Sequence, residues 1–253
     1  MMIDTHCHLD AAEFDGDRRE VHAAALAAGV STLVVPAVAV AGFAKTQQTV
    51  AQYAGCAAAY GIHPLYVMQA VPGDLATLRQ WLAAESPVAV GEIGLDHYVS
   101  GLDPQRQEFF FVEQLKLARD FDLPVLLHVR RAVDPILKQL RRFRVRGGIA
   151  HAFNGSRQQA DIFIELGFAL GFGGAMTFSG STRIRALAAE LPLESIVLET
   201  DAPDIPPAWL NGGRNEPAEL PAIADVLAGL RGMTRAAVVA ATTANARRVL
   251  PGI

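Results

Sequence analysis

Two histidines, His6 and His8, stand two residues apart near the start of the chain, in MIDTHCHLD. Imidazole nitrogens bind zinc-like divalent ions. On a strand, a His-x-His pair aims both rings at one face and so at one ion. Four more ligand-type residues close later apolar runs: Glu92 in VAVGEIGLD, His128 in PVLLHVR, His151 in GGIAHAF and Asp201 in IVLETDAPD. A carboxylate at the end of an apolar run is costly to bury unless it is paired or metal-bound. Packing explains one such residue, but not six at equivalent positions. The set points to a metal site. His63, closing the run in YGIHPLY, points to the same rim, either as a further ligand or as a group beside the ligands that contacts substrate phosphate. Asp4 shares the parity of His6 and His8 and could orient an imidazole. Cys7, of opposite parity, reads as packing.

The elements that position these residues are legible as apolar, β-branched runs over 2–8, 32–38, 56–62, 88–93, 124–129, 148–153, 168–172 and 196–199. Each is short and nearly continuous in apolar character, as parallel strands covered by helices are. Segments with helical period lie between and after them, over 15–28, 103–121, 132–143, 156–166, 182–191, 217–230 and 234–250. Repeated strand–helix alternation predicts an α/β fold of the (β/α)8 barrel (TIM barrel) type, with the ligand-type residues at the strand C-termini where such barrels hold their chemistry. An open doubly wound sheet would place a glycine-rich phosphate turn after the first strand. HCHLD stands there instead.

The whole of 1–253 reads as one domain, since 253 residues suit a single barrel. A hydrophobic share of 51% and a charged share of 19% supply a core and exclude disorder. The net charge of −4 argues against non-specific binding along a duplex as the main activity. Two cysteines, Cys7 and Cys56, make no disulfide framework and suit a reducing compartment. With no secretory-type leader and no long apolar span, a cytoplasmic protein is expected.

Several arginines bear on substrate. Arg130 follows His128 by two residues, shares its face, and could hold a phosphate with a bidentate guanidinium. Arg214 lies in the Pro- and Gly-rich loop 205–217, which would overhang the rim. Asn215 and Glu216 there could cap the helix starting at Pro217. The run Arg141, Arg142, Arg144, Arg146 ends a helix on the far side of the barrel, where the helix dipole accounts for it.

The motifs IDTHCHLD, YGIHP, VGEIGLD, LLHVR, AHAFNGS, LETDAPDIPP and RNEP together resemble the TatD family of metal-dependent deoxyribonucleases, in the amidohydrolase-like barrel superfamily. The likeness runs from residue 3 to residue 217. It implies two divalent ions, Zn²⁺, Mn²⁺ or Mg²⁺. His6, His8 and Asp201 would hold the first, Glu92 would bridge both, and His128 and His151 would bind the second. It also implies a two-metal hydrolysis of phosphodiester bonds in DNA, in single strands or from 3′ ends, with Glu92 and Asp201 as catalytic groups, while His63, Arg130 and Arg214 are expected from their places at the rim to contact substrate. Where the family often has a small polar residue and then Arg-Asp after the fifth-strand histidine, this chain has Val129 and Arg131. His97 stands where tyrosine is usual. The alternatives are a metal-dependent amidohydrolase or phosphoesterase acting on a small amide, lactone or phosphate ester, and a non-enzymatic metal-binding protein.

Overall fold

The computed structural model describes residues 1–253 and forms the expected barrel. The strands are β1 Met2–Asp4, β2 Val30–Pro36, β3 Cys56–Tyr60, β4 Ala89–Asp96, β5 Val125–Arg130, β6 Gly148–Ala150, β7 Phe168–Phe172 and β8 Ile196–Leu198. They pair in parallel in sequence order. The helices are α1 Arg18–Ala27, α2 Phe43–Gln52, α3 Gly73–Glu85, α4 Pro104–Asp120, α5 Val133–Arg142, α6 Arg157–Glu165, α7 Thr182–Glu190, α8 Leu220–Arg231 and α9 Arg235–Val249. No helix is long and apolar enough to cross a membrane.

Helices α2 and α3 escape a reading of apolar period because each buries few large apolar residues. Phe43, Thr46 and Thr49 face inward from α2, and only Leu78 and Leu82 are buried on α3. The helix expected from residue 15 starts at Arg18, after a 3-10 turn over Ala12–Phe14. The one expected from 217 is divided into a 3-10 turn, Pro217–Glu219, and α8. Local chemistry sets other ends. Asp103 accepts the Gln105 N–H at 2.9 Å ahead of Pro104 to open α4, and Ser156 and Gln159 form a reciprocal capping box at α6.

The core has two layers. The inner one takes one residue from every strand: Ile3, Val34, Ala59, Ala89, Leu126, Ile149, Ala169 and Val197. Ala246, Val249 and Leu250, from the end of α9, plug it from below. The outer layer lies between the strands' other faces and the helices.

The seam between β8 and β1 is not a regular ladder. Thr5 donates its N–H and its hydroxyl to Leu198 O, each at 3.1 Å. Further up, Asp201 N–H reaches His6 O and His8 N–H reaches Ala202 O, both at 2.8 Å. Asp4 ties the two sides together. Its Oδ1 accepts N–H groups from His6 (3.2 Å) and Thr200 (3.0 Å), and its Oδ2 accepts the Thr200 hydroxyl at 2.6 Å. Complete burial pushes this carboxyl up to about 7. The structure thus corrects the expectation for Asp4, which holds backbone rather than an imidazole. Asp4→Ala leaves two buried N–H groups without acceptors, so a loss of about 2–4 kcal/mol is expected in urea unfolding. A loss below about 0.5 kcal/mol would mean that the seam does not depend on this side chain.

Candidate metal centre

Strand alternation delivers half of the site. Two residues beyond inner-layer Leu126 stands His128. His151 follows Ile149 in the same way, and Glu199 and then Asp201 follow Val197. Alternation would not deliver the other half. Ile3 is an inner-layer residue, so an unbroken β1 would turn Thr5 and Cys7 inward and send His6 and His8 to the outer face. Instead β1 stops at Asp4, and residues 5–8 bond singly to both neighbours, Thr5 N–H to Leu198 O and Cys7 N–H to Val34 O (3.0 Å). Cys7 then packs in the outer core, and the two rings turn in. The pair converges as expected, although not on a strand extending to residue 8.

Glu92 arrives by a similar break. The β4–β5 register shifts between Val90 and Ile93, and Glu92 N–H bonds Ala37 O at 3.1 Å. The Gly91–Glu92 peptide is cis.

The six expected residues do converge, with His63 among them. Glu92 divides the cluster. Its Oε2 lies 3.2 Å from His6 Nε2 and 3.7 Å from His8 Nε2. Its Oε1 lies 3.1 Å from His128 Nδ1 and 3.5 Å from His63 Nε2. Asp201 Oδ1 stands 3.6 Å from His6 and His8 and 3.4 Å from His151 Nε2. His151 stacks on His6 with centroids 3.7 Å apart. The ligand atoms gather as His6, His8 and Asp201; as His6, Glu92 and His151; and as His63, Glu92 and His128. His128 and His151, implied as partners on one ion, therefore fall in different groups.

Hydrogen bonds fix which nitrogen of each ring can act as a ligand. His8 Nδ1 lies 3.1 Å from Pro36 O, which only accepts, so its proton sits there and Nε2 offers its lone pair to the cluster. His128 Nε2 meets Asp96 Oδ2 at 3.0 Å, leaving Nδ1 toward Glu92. His63 is the reverse. Its Nδ1 accepts the Leu65 N–H at 3.1 Å, so Nε2 carries the proton and points at Glu92 as a donor. That geometry fits a group beside the ligands better than a ligand.

The buried polar atoms His6 Nδ1, His151 Nδ1 and Glu199 Oε2 have no aligned hydrogen-bond partner. The cluster itself sets Nε2 of His6, His8 and His151 and Nδ1 of His128 against the carboxylates of Glu92 and Asp201, a nitrogen and oxygen donor set that fits a divalent cation. Burial pushes the Glu92 carboxyl up, but His63, His6 and His128 hold it well below the usual carboxylate range. Asp201 is largely shielded from water, which pushes it up, but His151 and the His6–His8 pair hold it low. Burial disfavours charge on His128 and His151. Asp96 and Glu92 outweigh it at the first, and Glu199 and Asp201 at the second, so both favour the imidazolium. Burial depresses His6 and His63.

Two residues missed from the sequence complete the centre. Asp96, at the end of VGEIGLD, binds His128 and is itself clamped by Gln107, which bonds its N–H and C=O at 2.8 and 2.9 Å. Glu199, in LETD, lies 2.9 Å from His151 Nδ1 and accepts the Ala152 N–H at 2.6 Å. A Cβ at Gly171 would come within 2.1 Å of that carboxylate, so only glycine leaves room for it. Both acids lie inside quoted motifs, and their signal was a carboxylate an even number of residues from a ligand position, Asp96 four after Glu92 and Glu199 two before Asp201.

The rim arginines differ. Arg130 is exposed, lies over the Tyr98 ring at 4.1 Å and makes no ion pair. Arg214 does not face the centre: it binds Asp17 at 2.6 and 2.9 Å and Glu216 at 2.7 Å, and covers Phe14. Its expected substrate contact gains no support, because two carboxylates occupy the guanidinium. Asn215 latches the loop through Thr200 O and Asp204 O, both at 2.8 Å, and neither it nor Glu216 caps a helix with its side chain. Arg141 and Arg142 close α5 and Arg146 pairs with Asp122, far from the centre as expected. His97 is exposed.

A family model described as TatD related DNase matches residues 3–251. The chain belongs to the TatD family. The metal-dependent hydrolase YjjV of Escherichia coli is 42% identical over 234 residues, 90% of each chain. The crystal structure of that TatD homologue superposes with a TM-score of 0.95 at 37% identity, over 98% of this chain and 97% of the other. A Cronobacter sakazakii protein named 3′-5′ ssDNA/RNA exonuclease TatD is 35% identical, over 98% of this chain and 97% of its own length. The chain is a metal-dependent hydrolase of this TatD family, and its His/Glu/Asp cluster could hold the metal.

Because ligation requires neutral imidazole, a cation held by His128 or His151 would displace the proton that the neighbouring carboxylates favour on the ring. Both rings have pKa values above the ordinary one, so metal affinity continues to rise with pH above the range where free histidine titrates, and it falls as pH is lowered. Calorimetric Mn²⁺ titrations at pH 7 in buffers of different ionisation enthalpy should show net proton release. Equal heats in all buffers would contradict this protonation scheme.

Proposed function

We propose that this TatD-family hydrolase is a nuclease that removes nucleotides from the 3′ end of single-stranded DNA with two divalent ions. The observation that carries this reading is the division of Glu92, one oxygen toward His6 and His8 and the other toward His128, with Asp201 alongside. In this reading His6, His8 and Asp201 would hold one ion with His151 beside them, and Glu92 and His128 would hold the other. The nitrogen-rich donor set suits Mn²⁺ or Zn²⁺ on intrinsic preference, and Mg²⁺ remains compatible with a phosphate substrate. Ions so held supply Lewis-acid polarisation of a phosphoryl oxygen and a lowered pKa for water.

The chain's own groups do the rest. Asp201, held in its charged form by neighbouring histidines, accepts the proton of the attacking water. His63 presents its Nε2–H to a phosphate oxygen while Nδ1 stays fixed by Leu65. Arg130, free of acidic partners, binds the phosphate from the rim. Asp96 and Glu199 hold the His128 and His151 rings. The name of the Cronobacter relative supports the choice of substrate and polarity.

A 5′-labelled single-stranded oligonucleotide with Mn²⁺ or Mg²⁺ is expected to shorten stepwise from its 3′ end, and a chelator should stop it. Glu92→Ala and Asp201→Asn should each lower kcat by about 10²–10⁴-fold in a protein that still melts cooperatively. Turnover of a small phosphodiester with no release of nucleotides under any divalent ion would show the nuclease reading to be wrong.

A further inference from the structure

Beside the cluster, the rim carries two guanidiniums without an acidic partner. Arg130 ends β5, two residues after His128. Arg131 follows with φ of 52°, a left-handed conformation that long side chains adopt only where the surroundings hold them. Both are exposed, and both lie against one half-exposed ring: Arg130 is 4.1 Å and Arg131 4.6 Å from the Tyr98 centroid. Neither makes a salt bridge or side-chain hydrogen bond. Arg18, Arg79, Arg157, Arg214 and Arg235 are all paired with carboxylates.

This arrangement is built rather than a loose surface patch. Asp96 Oδ1 accepts the Tyr98 and Val99 N–H groups at 2.8 and 2.9 Å, while its Oδ2 meets His128 Nε2 at 3.0 Å. His97 N–H bonds Arg130 O at 2.9 Å. One buried carboxylate therefore joins the aromatic platform to a residue of the metal centre. A guanidinium lying on a ring keeps its in-plane N–H donors free for a phosphate, and the ring limits the freedom lost on binding.

We propose that Arg131 and Tyr98, next to Arg130, form an anion subsite for the phosphate adjoining the one at the metal centre, so that the protein prefers a chain of consecutive phosphates to a single phosphodiester. The inference rests on the nuclease reading for its substrate class. Arg130 shares the face of His128 and serves the nearer phosphate. The left-handed turn at Arg131 brings its guanidinium to the same ring, 4.6 Å from the centroid, beside that of Arg130.

Fluorescence anisotropy of the metal-loaded protein tests this, using labelled oligothymidylates with cleavage-resistant phosphorothioate linkages, one ligand with a single linkage and one with three. Arg131→Ala is expected to weaken the three-linkage ligand about tenfold and the single-linkage ligand by less than about twofold. It should also lower the slope of log K against log salt by about 0.7, the value for one phosphate contact in a single strand. Arg131→Lys should keep the slope while losing part of the affinity, because it retains charge without the fork. Tyr98→Leu should weaken the longer ligand several-fold. Equal losses for both ligands, an unchanged slope, or wild-type affinity independent of length would overturn the subsite. Arg131-dependent binding of the longer ligand, with no cleavage of the ordinary oligonucleotide in Mn²⁺ or Mg²⁺, would sink the nuclease reading and leave the subsite standing.

Discussion

Everything at the open end of this barrel answers to one buried carboxylate. Glu92 is almost wholly out of water and has imidazole nitrogens within 3.7 Å on both of its oxygens. An ionised carboxylate in an apolar interior without compensation would cost far more than the net stability of a domain. The compensation comes from four rings, and the rings must themselves be held. Pro36 O fixes His8, Leu65 N–H fixes His63, and Asp96 and Glu199 sit behind His128 and His151. Charge therefore alternates outward as acid, base and acid, from Glu92 through His128 to Asp96 and from Asp201 through His151 to Glu199. The same alternation makes His128 and His151 retain protons that a cation would replace.

The backbone meets this demand by breaking its own regularity where strands end. β1 stops before His6, β4 slips register at Glu92, and β6 and β8 stop before His151 and Asp201. Left-handed residues follow at the same rim: Arg131, Ala152, Asp201 and Ile205. Each non-glycine residue in that region costs on the order of 1–3 kcal/mol and persists only where its surroundings over-determine it. Below, the eight-residue inner layer and its α9 plug are regular and apolar. The division is physical: the regular half supplies stability, and the irregular half spends part of it aiming side chains.

Much of this was legible in the residues. Apolar runs located all eight strands, although they overran at the C-termini of β1, β2, β3, β6 and β8; in β1 and β6 the ligand-type residues extend the run without continuing the ladder. The ligand set was visible as polar residues closing apolar runs. What period alone misplaced was the reason for the His6–His8 pair, since the inner face at Ile3 has the other parity. Asp96 and Glu199 stood in plain view inside motifs. They went unremarked because their importance lies in the rings behind which they pack, which no spacing reveals. Helices α2 and α3 were faint because threonine carries much of the inner face of the first and only two leucines are buried on the second. Arg214 shows the converse: a loop arginine near a rim looks like a substrate contact until Asp17, far off in sequence, is brought against it.

The account turns on Glu92 serving two ions at once. The most direct measurement is anomalous diffraction from crystals grown with Mn²⁺. Two peaks are predicted, one on each side of the Glu92 carboxylate, the first against His6, His8 and Asp201 and the second against His128. A single peak, or two of which neither touches Glu92, would contradict it.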